Sequence, residues 1–340
     1  MGLLVLMASP GAASADPDPL DPTRLPPQVV YNYGENESPR SAAMGGALRA
    51  LGGGTSAVQL NPATMATTRV YHLGASTQLT PQTSRYVFGG TAIDSITGKL
   101  AGSVSFMGGL PMDPGGLNRS FIDLRVGAAY GLADRIYIGL AGRYAQVSQS
   151  SRTAPFGLGP VDASHPTPVK DAVAGGLVDP KTPDVRPMLL NTFTFDAGLN
   201  VKLTDGLYLA AVGQNLTFQD SGLLPAILGG GLGFGTKSFS IEGDGLADLA
   251  SWGKPTARLM LGGEYLVLDH IPVRLGYRFD QGARLHTLSA GSGYVGTEFA
   301  IEASVKQTLS NPGATTMFFS LEYFFESSNL IRTPTPELEP

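Results

Sequence analysis

The side chains that could perform catalysis are scattered along this 340-residue chain. Its four histidines, His72, His165, His270 and His286, show neither the H-E-x-x-H pattern nor any other metal-ligand spacing. The sequence has no G-x-S-x-G nucleophile elbow, and the glycine run 229–235 lacks a Walker lysine and the dinucleotide-binding spacing. We therefore predict no catalytic residue, no metal site and no cofactor, and we do not expect an enzyme.

The charged residues near the C-terminus alternate with apolar ones. In 257–267, apolar side chains such as Leu259 and Leu261 occupy odd positions, whereas Arg258 and Glu264 occupy even ones. Segments 273–279 and 298–306 repeat the pattern. Because strand side chains point alternately to opposite faces, each segment has one apolar face and one charged face. The charged face must be hydrated, which favours a membrane barrel with lipid outside and a polar lumen.

Eight charged residues fall on the predicted lumen face: Arg258, Glu264, Arg274, Arg278, Glu298, Glu302, Lys306 and Glu322. Opposite charges on adjacent strands can pair across the sheet. Two interpretations stay open. The charges form a structural ladder that satisfies itself and holds an internal plug, or they line a polar conduit or docking surface.

Composition restricts the partners and the compartment. A net charge of −5 without a basic run argues against nucleic acid, and the absence of cysteine excludes disulfides and thiolate sites. Residues 1–15 end in Ala13-Ser14-Ala15 and are typical of a signal peptide. Residues 16–32 form a Pro/Asp-rich linker, and no apolar stretch of about 20 residues follows, so insertion as a spanning helix is not expected.

Fourteen strand-like segments follow from residue 70 onward. The predicted spans are 70–79, 85–94, 99–107, 120–131, 135–150, 189–203, 207–217, 225–237, 239–248, 255–267, 271–280, 284–295, 297–309 and 315–325. Connections after even strands are mostly short, and the long ones follow odd strands, which is the asymmetry of outer-membrane barrels. We predict an all-β fold, a transmembrane antiparallel β-barrel at 70–325, followed by a periplasmic tail at 326–340.

Residues 33–69 are small and do not alternate. We expect a short helix over Ser41–Leu51 with Ser41 as its cap, a stop at Gly52-Gly53-Gly54, and a turn at Pro62. The residues of interest in this predicted hatch are Gly45, Gly46, Asn61, Pro62 and Ala63. Small residues let a plug pack closely in a narrow lumen, and glycine also makes rearrangement easy. The sequence does not choose between a static and a movable plug.

Several short sequence segments resemble those of a known family. Gly34-Glu35-Asn36, the run 41–47, Thr55-Ser56-Ala57 and Asn61-Pro62-Ala63 are similar to the N-terminal hatch of the FadL/PorV outer-membrane group. The strand phrases 195–199, 213–216, 262–265 and 273–277 add to the match. The resemblance implies a fourteen-stranded barrel in the bacterial outer membrane whose lumen is plugged by an N-terminal hatch. The chain departs from the group in its short length, in Gly52-Gly53-Gly54 where acidic residues are frequent, and in its tail after Phe325.

The resemblance implies two functions. The first is a passive channel for hydrophobic small molecules, of the long-chain fatty acid or hydrocarbon type. It predicts an apolar pocket above the hatch, lined in part by Leu110, Met112, Phe156 and Leu158 from the outer loops. The alternative is a PorV-like scaffold or secretion-associated binding protein without solute transport. The expected partners are outer-membrane lipid, a fatty acid or other hydrophobic ligand, and secreted or envelope proteins. A soluble all-β binding protein is the third, least favoured possibility.

Overall fold

A computed structural model describes residues 37–81, 85–111, 119–149, 188–217, 224–249, 255–309 and 314–325. The predicted signal peptide (1–15), linker (16–32) and tail (326–340) lie outside the described residues. The long connection 150–187 also lies outside them.

Fourteen antiparallel strands close into a barrel, in which each strand pairs with the next and the last pairs with the first. They are β1 (Tyr71–Thr80), β2 (Arg85–Asp94), β3 (Leu100–Pro111), β4 (Arg119–Ala133), β5 (Ile136–Gln149), β6 (Met188–Thr204), β7 (Leu207–Gln214), β8 (Ile227–Gly235), β9 (Phe239–Asp248), β10 (Thr256–Val267), β11 (Ile271–Asp280), β12 (Leu285–Val295), β13 (Phe299–Thr308) and β14 (Thr315–Phe324). The predicted fold class is confirmed.

Two strand ends differ most from the predicted spans: β3 continues to Pro111 rather than ending at residue 107, and β7 ends at Gln214 rather than at residue 217. Asn215 adopts a left-handed conformation with φ 56°, and its side chain donates to the Pro225 carbonyl at 2.7 Å. Its backbone N–H donates to Asp196 Oδ1 at 2.7 Å. These side-chain contacts replace the regular ladder, so the chain leaves the sheet at this residue.

The two faces of the wall are those that the alternation predicted. Leu259, Leu275 and Ile301 are 54%, 66% and 53% exposed on the outer surface. Arg258 and Arg274, at the opposite parity, are 2% and 3% exposed. Apolar side chains outside and charges inside are the arrangement of a membrane barrel. Among the described residues, none of the helices is both long and apolar enough to cross a membrane.

Residues 37–70, which we call the inner segment, fill the lumen. Its helical parts are α1 (Pro39–Ala43), α2 (Ala57–Leu60) and two 3-10 helices, Gly54–Ser56 and Pro62–Ala66. Nearly every residue from 37 to 66 is buried. The segment packs against β11 to β14 through α1 and against β4 to β6 through the second 3-10 helix.

The predicted helix over Ser41–Leu51 was wrong in its bounds and its cap. The Ser38 hydroxyl accepts the Ser41 N–H at 3.2 Å, and Pro39 occupies the first helical turn, where its missing N–H costs nothing. The helix ends at Ala43 because Gly45 and Gly46 adopt φ of 69° and 89°. Only glycine adopts such values readily, so the chain turns there.

Candidate functional site: the plugged lumen

Glycines of the barrel wall stand where the inner segment approaches the strands. A Cβ built on Gly276 or Gly262 would overlap the backbone of Met44 or Gly45, and one built on Gly291 would lie 2.7 Å from the Ala43 Cβ. All three belong to β10, β11 or β12. The wall therefore lacks side chains where α1 and its terminal glycines press against it.

Asn61-Pro62-Ala63 packs against two further wall glycines, one on β5 and one on β6. A Cβ on Gly198 would overlap Asn61 Oδ1, and one on Gly139 would overlap the Pro62 carbonyl carbon. Asn61 caps the 3-10 helix that follows, since its Oδ1 accepts the Ala63 N–H at 3.0 Å. Its Nδ2 donates to the Arg49 carbonyl at 2.7 Å. Asn61 thereby joins two parts of the inner segment to each other and seats both against the wall.

The backbone of residues 49–51 is held by polar side chains from two strands of the wall, β6 and β9. Glu242 on β9 accepts the N–H of Ala50 at 2.6 Å and that of Leu51 at 2.8 Å. Asn200 on β6 donates to the Ala50 carbonyl at 2.8 Å. The glycines of β8 make this possible, because side chains there would overlap Leu51 and the β9 carboxylates. The glycines of the run 229–235 that face the lumen thus leave room for the inner segment.

Most of the predicted lumen charges bind the inner segment or one another. Glu264 pairs with Arg40 of α1 at 2.9 Å, and Glu322 accepts from the Thr55 hydroxyl at 2.6 Å. Within the wall, Arg274 pairs with Glu264 and Glu302, and Arg258 pairs with Asp248 and Asp280. Glu37 of the inner segment pairs with Arg278 and Lys306.

Glu298 is a correction to the predicted lumen set. The alternation starts one strand at residue 297, but β13 begins at Phe299. Glu298 therefore lies in the turn between β12 and β13, where its side chain is exposed. A carboxylate in this turn is hydrated without entering the lumen.

Arg40 and Arg49 are cations that the inner segment presents to the wall, where they pair with Glu264 and Asp244. Burial by itself would lower the pKa of the Arg40 guanidinium. The adjacent Glu264 carboxylate outweighs this effect and raises the pKa above its ordinary value. Arg40 therefore stays charged and tethers α1 to β10. Within the described residues, no three acidic or histidine side chains are grouped as a metal ion would require.

Four charged residues that the sequence reasoning missed form a compact cluster, the charge floor: Asp123, Arg125, Arg143 and Asp196. Arg125 Nε lies 3.1 Å from Asp123 Oδ1, and its Nη1 lies 3.2 Å from Asp196 Oδ2. Arg143 also pairs with Asp123. Arg125 Nη1 donates to the Gln59 carbonyl of the inner segment at 3.1 Å. The spacing of Asp123 and Arg125, two residues apart on one strand face, was the available signal.

An apolar cluster lies beside the charge floor, toward the end of the barrel that carries the long connections. It consists of Val87, Met107, Phe121, Ala145, Val147, Leu190 and Leu224. Phe121 precedes Asp123, and Ala145 follows Arg143, by two residues on the same strand faces. We call this group the apolar end of the lumen.

Of the four predicted pocket-lining residues, the structure describes Leu110. The prediction for Leu110 was wrong, because its side chain is 50% exposed on the outer face of β3, the face that also carries Val104 and Phe106. Leu110 lies four residues beyond the outward Phe106, so it has the same parity and points to the lipid side. Met112, Phe156 and Leu158 lie outside the described residues.

A cavity of about 250 Å³ opens at the other end of the lumen, near the short turns. Its lining combines charged groups of the wall and the inner segment with an apolar rim that includes Phe239 and Pro272; the charged and polar members include Arg40, Thr55, Glu264, Arg274, Glu302 and Glu322.

The barrel with its inner segment is similar to solved hydrocarbon transporters. The toluene transporter TbuX of Ralstonia pickettii aligns with a TM-score of 0.58 at 13% identity, covering 86% of this chain and 99% of that one. The monoaromatic hydrocarbon channel CymD gives 0.58 at 15% identity, covering 84% and 96% of the two chains. A Pseudomonas aeruginosa FadL homologue gives 0.55 at 14% identity, covering 85% and 98%.

This likeness establishes the fold. The resemblance drawn from the sequence is therefore confirmed at the level of architecture: the chain has the fourteen-stranded fold of outer-membrane transport barrels. No protein-family model matches the chain, and no curated protein matches it in sequence.

Proposed function

We propose that this protein is a passive channel for hydrophobic small molecules in the bacterial outer membrane, and that the inner segment is its hatch. The observation that carries the proposal is a closed barrel with an apolar exterior whose lumen holds an N-terminal segment, matched over most of its length to toluene and hydrocarbon transporters. The long connections then face the cell exterior, and the chain termini face the periplasm.

The apolar end of the lumen supports this function. Apolar side chains that face the inside of a membrane barrel cannot contact lipid; here they form a packed apolar layer, at most 8% exposed, and apolar side chains of this kind line the sites of hydrophobic ligands. Val87, Met107 and Phe121 come from three consecutive strands, so this packed layer is continuous along the inside of the wall. It lies on the outer side of the hatch, where a compound entering from the medium arrives first.

Uptake by cells tests the proposal. The native bacterium with its gene deleted should accumulate labelled toluene or dodecanol more slowly than the parent at limiting concentration, and expression of the intact chain should restore the rate. A small hydrophilic solute such as labelled glycerol serves as the control for general permeability. Equal uptake of the hydrophobic compounds by parent and deletion strains would refute the channel function.

The alternative, a PorV-like scaffold that holds secreted or envelope proteins, is favoured by one observation. The hatch is tied to the wall by the partly buried ion pair of Arg40, by the ion pairs of the buried residues Arg49 and Glu37, and by the hydrogen bonds of Glu242. So many ties suit a plug that never opens. Cross-linking in intact cells followed by purification should then recover an envelope protein, while the deletion strain shows normal hydrocarbon uptake.

A further inference from the structure

Two carboxyl groups and one guanidinium meet where β9 holds the hatch. Glu242 and Asp244 lie two residues apart on the lumen face of β9 and are 0% and 4% exposed. The Glu242 oxygens accept the N–H groups of Ala50 and Leu51. Asp244 Oδ2 accepts from Arg49, from the backbone N–H at 3.3 Å and from Nη1 at 3.0 Å. We call Glu242 and Asp244 the acid pair.

The second oxygen of Asp244 shares the space above Gly231 with Glu242. Asp244 Oδ1 is buried and receives a hydrogen bond from no N–H or hydroxyl group of the described residues. A Cβ built on Gly231 would lie 1.8 Å from this oxygen and 3.2 Å from Glu242 Oε1, so the two oxygens are no farther apart than the sum of these lengths. Two ionised carboxylates this close repel each other, and burial strengthens the repulsion.

One cation serves the acid pair. Among the residues that the structure describes, Arg49 is the cation with which the pair forms an ion pair. The residues directly opposite the pair on β8 and β10 are glycines and a methionine. Beyond these neighbours lie the Tyr208 phenol on β7 and charged groups that have partners of their own: Arg40 with Glu264, Arg258 with Asp248 and Asp280, Arg278 with Glu37, and Lys202 with Asp205.

We infer that Glu242 and Asp244 share one proton, so that the acid pair is a proton-binding site within the attachment of the hatch. Arg49 keeps Asp244 ionised, and the proton therefore resides on Glu242 Oε1 and is donated to Asp244 Oδ1. Both backbone hydrogen bonds of Glu242 persist, because a neutral carboxyl keeps acceptor capacity on its two oxygens. The proton supplies the donor that Asp244 Oδ1 lacks and removes the repulsion within the pair. This inference does not depend on the cargo of the channel.

Loss of the shared proton weakens the hold on the hatch. Opening of the hatch hydrates both carboxyls, so the open form loses the proton where exposed carboxyls titrate, at about pH 4. The closed form keeps the proton to higher pH. Because the closed form binds more protons, its stability relative to the open form decreases as the pH rises above about 4, until the pair itself ionises.

Infrared spectroscopy detects the proton directly. The intact protein is purified in dodecyl maltoside, a detergent without a carbonyl group, and measured in heavy water at neutral pH. The carbonyl band of protonated carboxyls should decrease by one group in Glu242→Gln and in Asp244→Asn, because either variant leaves a single carboxyl beside Arg49. Glu298→Gln, in the exposed turn between β12 and β13, is the matched control and should leave the band unchanged. An unchanged band in the pair variants, shown to be folded by heat-modifiable migration on gels, would overturn the inference.

Hydrogen exchange of the parent protein gives a second test that requires no variant. After correction for the intrinsic pH dependence of exchange, amide protection in peptides covering 44–60 should fall about tenfold per pH unit above about pH 4, the effect of one proton, and then level off. Asp244→Asn should remove this slope. Constant protection in the parent over this range, or the same slope in Asp244→Asn, would overturn the inference.

Discussion

Glu242 holds the hatch by its backbone, so removing this side chain should loosen the hatch without opening the barrel. Its two oxygens accept the N–H groups of Ala50 and Leu51 at 2.6 and 2.8 Å, and the residue is 0% exposed. In Glu242→Ala, two buried donors lose their acceptors, each at a cost of about 1–3 kcal/mol. The free energy of local opening of the hatch should therefore fall by roughly 2–6 kcal/mol.

Hydrogen exchange read by mass spectrometry measures this effect. A loss of roughly 2–6 kcal/mol raises the population of the open hatch by about 30-fold to 10⁴-fold, and amide exchange in peptides covering 44–60 should accelerate by that factor. Exchange in the barrel strands should stay as slow as in the parent, because strand pairing does not involve the Glu242 side chain. Glu242→Gln keeps one acceptor oxygen and should give an intermediate effect.

Glu298→Ala is the matched control, because it removes a glutamate from an exposed turn. The Glu298 side chain takes part in none of the hydrogen bonds to the hatch described above. This variant should leave exchange unchanged. Unaltered exchange over 44–60 in Glu242→Ala would show that the two hydrogen bonds do not hold the hatch. Faster exchange spread evenly over hatch and strands would show that Glu242 supports the barrel as a whole.

Three further predictions follow from the wall and its plug. Gly198→Val should lower the heat-modifiable folded fraction on gels, because its side chain overlaps Asn61, whereas Gly142→Val on the outer face should fold normally. Leu275→Arg on the lipid face should cost about 2–4 kcal/mol in urea unfolding from vesicles, and Leu268→Arg in the 81% exposed turn should not. A Thr55→Cys/Gly74→Cys pair, with Cβ atoms 3.7 Å apart, should cross-link hatch to wall and abolish most hydrocarbon uptake until reduced; the wall-only pair Gly235→Cys/Ser240→Cys should not. Unchanged uptake after complete cross-linking would mean that cargo passes without movement of this part of the hatch.

Strand positions and facing were accessible from the sequence because alternation is a local property. Side chains two residues apart share a face whatever the rest of the chain does, so segments 239–248 and 271–280 were predicted with the bounds that the structure shows. Errors arose at strand ends. Glu298 was assigned to the lumen face of a strand, and Leu110 to an outer loop, because the sequence pattern does not mark where a strand begins or stops.

The pairing of the buried charges, in contrast, was decided by the tertiary structure. Glu37 meets Arg278 and Lys306 only because the hatch folds back into the barrel, more than 200 positions away along the chain. The charge floor likewise depends on the register of β4, β5 and β6, which brings Asp123, Arg143 and Asp196 together. An alternating pattern specifies the side of the wall on which a charge lies, but its partner depends on which distant segment occupies the enclosed space beside it.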